Sequence, residues 1–144
     1  MSEISGLRRL LRDEPVARVA TVADDGGPHI APLWFVWLED AIYVSTRRGG
    51  GTWANAERDP RVALAIDRGR EWTELVGAVI EGNAAIVSPE DPLMRAPMSA
   101  WHEKYRGFFG GGGFERFAER VPDLGFLRLE PERARFWDHG SSRA

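Results

Sequence analysis

Residues 45–64 read STRRGGGTWANAERDPRVAL, and the reading of this stretch decides how the rest of the chain is arranged. Two arginines and three consecutive glycines separate an apolar β-type run, ending at Thr46, from a short helical segment that Pro60 stops. Glycine loses more conformational freedom on folding than any other residue. Three in a row are costly unless something must approach the backbone closely, and a phosphate is such a ligand. The competing reading is a loose surface connection. After Pro60, RVALAID (61–67) alternates, with Val62, Leu64 and Ile66 on one face of a strand.

The flanking segments repeat this strand signal. VARVATVA (16–23) is short and β-branched and closes on the turn signal DDGGP (24–28). HIAPLWFVWLE (29–39) follows, then a turn at Asp40 and AIYVST (41–46), so three strands form an antiparallel meander. The polar hairpin RGRE (68–71) leads into a long strand from about Trp72 to Val87, in which Gly77 and Gly82 predict a bulge or bend. Ser88-Pro89-Glu90-Asp91 is a helix-start signature, and the chain reads as helical to Tyr105 with interruptions at Pro92 and Pro97. GFFGGGG (107–113) is a joint that reads as a lid hinge or a tether, FERFAER (114–120) a second short helix, and LGFLRLEPERARFWDH (124–139) a closing strand bent at Pro131.

At the N-terminus Ile4, Leu7, Leu10 and Leu11 recur at helical spacing, with Arg8, Arg9 and Arg12 facing elsewhere. The expectation is one domain over 1–144: a helix at 1–14, barrel strands at 16–87, a helical insertion at 88–120 and a closing strand at 124–139. The fold class is mainly β with peripheral helices, a six-stranded antiparallel barrel.

Composition narrows the function. The chain has 144 residues, 43% hydrophobic and 28% charged, with a formal net charge of −3. No global positive field draws it to nucleic acid or to an anionic membrane. The absence of cysteine removes disulfides, thiolate catalysis and Cys-based zinc sites, and fits a reducing cytoplasm. The longest apolar run, IAPLWFVWL (30–38), is about half the length of a membrane-spanning helix. The first fifteen residues lack an apolar signal region and are too acidic for a transit peptide.

One strand points beyond a single chain. Ile30, Pro32, Trp34, Val36 and Leu38 lie on one face, and His29, Ala31, Leu33, Phe35 and Trp37 on the other. A strand apolar on both faces is covered on both. A second copy related by two-fold symmetry is one cover, and the 88–120 helices are the other.

Taken together, these segments resemble the pyridoxamine 5′-phosphate oxidase-like split β-barrel family of flavin- and deazaflavin-binding proteins. Arg18-Val19-Ala20-Thr21 resembles the family's first strand, and Gly26-Gly27-Pro28-His29 with Pro32, Trp34 and Phe35 its second. Ile42-Tyr43-Val44-Ser45-Thr46 resembles the third, whose end meets the cofactor. Asn55 with Asp59-Pro60-Arg61-Val62-Ala63-Leu64 is the most recognisable run. Glu81-Gly82-Asn83-Ala84 resembles the long strand, and Leu129-Glu130-Pro131-Glu132-Arg133 with Trp137-Asp138 the closing one.

The resemblance implies a cytoplasmic homodimer with cofactor sites in the clefts between subunits. It implies FMN, or alternatively the deazaflavin F420, and hydride transfer to or from a small organic substrate. The chemistry then belongs to the cofactor, which explains why the sequence shows no acid–base pair or nucleophile. The implied cofactor-binding residues are Arg18, Thr21, Trp34, Phe35, Thr46, Arg47, Arg48, Gly50, Gly51, Thr52 and Asn55.

The glycine loop departs from the family pattern of Thr, three residues, Ser, one residue, Lys, two residues, Asn. The matching positions here hold Thr46, Gly50, Thr52 and Asn55, so the phosphate-binding lysine is a threonine. Arg47 and Arg48 are one substitute, since arginine binds phosphate bidentately. The amides of Gly49, Gly50 and Gly51 are another, as an anion nest before a helix. The alternative is a cofactor-poor barrel that sequesters a different small ligand. Of the three histidines, His29 reads as a surface residue, His102 sits among packing aromatics, and His139 beside Asp138 makes a poor metal site.

Overall fold

In the computed structural model, residues 2–140 are described, with side chains from Ser5 onward. Helix α1 (Ser2–Asp13) forms on the N-terminal amphipathic pattern, burying Leu10 and Leu11 with Leu7 beside them. The Ile4 side chain expected on the same stripe lies outside the described residues. Strands β1 (Ala17–Val22) and β2 (Pro28–Leu33) pair across the 24–27 turn. Strands β3 (Phe35–Leu38) and β4 (Ala41–Arg47) pair across the turn at 39–40. Helix α2 (Gly51–Arg58), strand β5 (Arg61–Arg68) and strand β6 (Val76–Val87) follow. Helices α3 (Arg95–Lys104) and α4 (Gly113–Arg120) precede the closing strand β7 (Leu124–Asp138).

All strand pairs are antiparallel, in the order β2-β1-β5-β6-β7-β4-β3. The two edge strands, β2 and β3, are separated by a single residue, Trp34. The sheet therefore curls until its ends meet at that residue. This corrects the expectation of six strands. The run expected as one strand at 29–39 changes partner at Trp34, from β1 (Ala17 opposite Leu33) to β4 (Phe35 opposite Val44). The Trp34 carbonyl accepts from the Ser45 amide at 2.9 Å and the Ser45 hydroxyl at 3.0 Å, which pins the switch.

A second correction concerns the long strand. It begins at Val76 rather than near Trp72, because Trp72–Glu74 form a 3-10 turn locked by reciprocal bonds between Glu71 and Glu74. The bend expected within it falls at Glu81/Gly82, opposite Pro131, where the register shifts. A β-carbon on Gly82 would lie 2.5 Å from the Glu130 carbonyl oxygen, so only glycine lets the strands approach there.

Alternation along the strands sorts the core into two layers. Inside the curl, Val19, Phe35, Ile42, Val44, Leu64, Ile66, Ile80, Leu127 and Leu129 are buried. Outside it, α3 packs Trp101 and Tyr105 over β3 and β4, enclosing Val36 and Phe126 with Trp34 against them. Trp34 stacks on Tyr105 with ring centroids 4.2 Å apart, and Trp101 Nε1 donates to Ser45 Oγ at 3.0 Å. The helices thus cover the outer face over Trp34 and Val36. They leave Pro28, Ile30 and Pro32 exposed, Ile30 at 68%.

Lys104, the sole lysine, ties these layers together. Its amine donates to the Leu11 and Phe35 carbonyls, both at 3.0 Å, and sits 3.7 Å over the Phe35 ring. Burial pushes its pKa down to about 8 against the pull of Glu14 and Asp13.

Candidate functional site

Strand parity places three polar side chains on the inner face at one end of the curl. Thr21 continues the inward series Ala17, Val19 on β1, and Thr46 continues Ile42, Val44 on β4. His29 shares the inward face of β2 with Leu33 and lies directly across from Thr21. Helix α2 closes this end, burying Thr52, Trp53, Asn55 and Ala56.

A chain of polar contacts joins these elements. Asn55 Nδ2 donates to Thr21 Oγ1 at 3.1 Å, and its Oδ1 accepts from Arg58 at 2.9 Å. Arg58 also donates to the Val22 carbonyl at 2.9 Å. Thr21 Oγ1 lies 3.4 Å from His29 Nδ1, at the outer limit of hydrogen bonding. On the other side of the ring, a β-carbon on Gly51 would lie 3.2 Å from His29 Nε2. The imidazole therefore fills the space a side chain at position 51 would take.

The loop entering α2 is built around Gly49, whose φ of +85° is a left-handed conformation. The Gly50 amide donates to the Arg47 carbonyl at 3.1 Å, closing a tight turn. Gly50 is the N-cap, no side chain caps the helix, and its first turn holds no acidic residue. The first amides of α2 thus have no intrahelical acceptor, at the positive end of the helix dipole.

The two arginines of the loop face carboxylates. Arg47 Nε donates to Asp123 Oδ1 at 3.2 Å, and the Arg48 amide donates to the Asp123 carbonyl at 2.9 Å. The Arg48 guanidinium bonds Glu90, which holds that carboxyl below its usual range.

The structure brings together Thr21, Thr46, Gly50, Gly51, Thr52 and Asn55, with Arg47 and Arg48 at the rim. It does not bring in three other predicted residues. Arg18 points to the outer face and pairs with Asp67 at 3.2 Å. The Trp34 ring lies under α3, and the Phe35 side chain is fully buried in the inner core. His29, which reads as a surface residue in sequence, stands inside the cluster. Its placement was computable from the hairpin register, because a turn at 24–27 sets residue 29 opposite Thr21. Glu90 and Asp123 carried no sequence signal.

An anionic group suits the chemistry of this end of the fold: the first amides of α2 have no side-chain cap, and the buried hydroxyl and amide side chains of Thr52 and Asn55 lie on the same helix. Among the described residues, no group of three or more His, Asp or Glu side chains is arranged to hold a metal ion. No helix there is long and apolar enough to cross a membrane.

The family model described as pyridoxamine 5′-phosphate oxidase matches residues 6–138. Among solved structures, the conserved hypothetical protein Rv2991 from Mycobacterium tuberculosis is 26% identical with a TM-score of 0.83, over 100% of this chain and 89% of that one. A FAD-binding protein from Mesorhizobium loti is 17% identical with a TM-score of 0.69, over 91% and 89% of the two chains. A protein described as an F420 reductase is 18% identical with a TM-score of 0.66, over 89% and 94%. These last two share the fold. A comparison with curated proteins gives no match.

Proposed function

Since the chain belongs to the pyridoxamine 5′-phosphate oxidase family, we propose that it is an oxidoreductase that binds a flavin or deazaflavin, FMN or F420, and exchanges hydride with a small organic molecule. One observation carries this reading. Of the five buried polar side chains among the described residues, all but Ser45 are expected cofactor-binding residues: Thr21, Thr46, Thr52 and Asn55. Among the described residues no buried side-chain polar atom lacks a partner, and these four gather where the glycine loop opens.

In this reading the amides of Gly51 and Thr52 at the start of α2, the Thr46 and Thr52 hydroxyls and the Arg48 guanidinium hold the anionic tail of the cofactor. Asn55 orients Thr21 and fixes α2 against β1. When bound, the cofactor supplies a ring that takes up or gives up a hydride. The chain positions that ring and keeps water from it. The exposed strip Pro28, Ile30 and Pro32 on β2 is the surface through which two copies pair, in the cytoplasm, with the clefts between them receiving the ring.

Titration of purified protein with FMN and with F420, followed by absorbance and fluorescence, tests the proposal. Saturable binding of either supports it. An intact dimer without a saturable response to either favours the second reading, a binding module for another small ligand. That reading draws on one feature, the pairing of both loop arginines with carboxylates in the absence of a lysine.

A further inference from the structure

An open pocket of about 590 Å³ lies between α1 and α3, against the end of β3. Its volume falls within the range of about 300–1,000 Å³ usual for small-molecule sites, and no residue of α2 or its loop lines it. Leu11, Val36 and Ala100 form an apolar floor beside the half-buried Trp37 ring. Arg8, Arg12 and Lys104 surround that floor, and Glu103 is the one acid lining it among the described residues.

Partners within the chain account for only part of this charge. Arg12 pairs with Asp13 at 2.7 Å, and Glu103 is drawn away to Arg106. Arg8 pairs with no described carboxylate. Its guanidinium carbon lies 5.2 Å from the centre of the Trp37 ring, which orients the cation without neutralising it. Lys104 meets two carbonyls and an aromatic face rather than a carboxylate. Burial leads the lowering of its pKa to about 8, and Glu14 and Asp13 offset only part of it. Those two carboxylates also lie 3.9 and 4.0 Å from Arg68. Two cations therefore line the pocket with no anion in contact.

The strand edge adds a donor. The Ser45 amide bonds the Trp34 carbonyl, so by alternation the peptide groups of Trp34 and Val36 face β4, while those of Phe35 and Trp37 face away from it. Tyr105 and Lys104 take up the Phe35 groups. The Trp37 N–H stands on the same edge with no bond to a described residue.

We propose that this pocket binds a small organic monocarboxylate, whose carboxylate meets Arg8 and the Trp37 N–H and whose apolar body, about the size of a bicyclic ring, lies on Leu11, Val36 and Ala100. A guanidinium and a nearby N–H offer donors to both carboxylate oxygens. The apolar floor favours an acid with a carbon body over a fully hydrated ion such as inorganic phosphate. The site is separate from the α2 cluster, so it stands or falls apart from the cofactor reading.

Isothermal titration calorimetry with 2-naphthoate, and with 2-naphthalenemethanol as its uncharged counterpart, tests this. Three proteins are compared: the natural chain, Arg8→Gln and Ala100→Phe, each checked for folding by circular dichroism. The natural chain binds 2-naphthoate saturably and about tenfold or more tightly than the alcohol, the lower end of what a charge-assisted bond contributes. Arg8→Gln removes that advantage and leaves the alcohol unchanged. Ala100→Phe, which fills the floor without altering a charge, weakens both about tenfold. Arg8 is exposed, so Arg8→Gln decides the matter alone if Ala100→Phe does not fold. The proposal is overturned if the natural chain binds neither compound or binds both equally, if Arg8→Gln keeps the preference for the acid, or if folded Ala100→Phe binds 2-naphthoate undiminished.

Discussion

Asn55 on α2 donates from Nδ2 to Thr21 Oγ1 on β1 at 3.1 Å, while Arg58 donates to its Oδ1. Both groups of the amide are thus used in a buried setting, 34 residues apart from Thr21 in sequence. The bond fixes the helix that begins the candidate site to the strand that backs it.

Replacing this amide leaves Thr21 Oγ1 with only His29, 3.4 Å away, and Arg58 with only the Val22 carbonyl. Asn55→Ala is expected to lower stability by about 1–3 kcal/mol, measured by urea unfolding. An unchanged midpoint and slope would show that the bond does not anchor α2.

At the rim, Arg48→Ala is expected to weaken cofactor binding about ten- to a hundredfold, the range for loss of a charge-assisted bond. The thermal midpoint should change little, since the Arg48–Glu90 pair is exposed. Titration and a thermal melt of the same sample separate the two effects. Unaltered affinity would remove Arg48 from the site.

Gly49 tests the loop backbone. With φ at +85° and nothing within 4 Å of a β-carbon, strain is the sole obstacle to a side chain there. Gly49→Ala should destabilise the chain by about 1–2 kcal/mol, and Gly49→Asn by less, because asparagine enters the left-handed region more readily. Equal losses for the two in chemical denaturation would contradict this conformation.

Lys104 gives a pH signature. Its folded pKa, about 8, lies below the ordinary lysine value of 10.5, so the folded state binds that proton less readily than the unfolded chain. The stability linked to this group is fully present above about pH 10.5 and is lost as the pH falls through about 8. The stability difference between the natural chain and Lys104→Met should therefore shift in favour of the natural chain between pH 8 and 10.5. An amplitude of about 1–2 kcal/mol is expected, allowing for partial solvent exposure. A difference that stays flat across that window would show that the amine titrates as if exposed.

Much of the fold was legible because its signals are local. The alternation of Val62, Leu64 and Ile66, the 24–28 turn residues and the proline stops depend only on neighbouring residues. The division of the 29–39 run was not legible, because it arises where one strand trades β1 for β4 as a partner. Both halves alternate in the same way, and nothing at Trp34 marks the trade. The rest of that strand's environment was resolved only in space: α3 covers Trp34 and Val36, and Ile30 is left bare.

The candidate site divides along the same line. Thr21, Thr46, Thr52 and Asn55 were named from the family resemblance; Thr52 and Asn55 are buried on α2, and Asn55 bonds Thr21. Arg18, Trp34 and Phe35 were named by the same resemblance, yet strand parity turns Arg18 outward and packing draws both aromatic rings into the two cores.

By itself, the sequence determined most of the strands, the turns, the glycine hairpin and the family, since each is written in patterns a few residues long. Tertiary structure alone decided the electrical state of that hairpin. Glu90 and Asp123 lie 42 and 76 residues from the arginines they neutralise, and only folding brings such distant charges within bonding range, where separation sets the strength of their attraction.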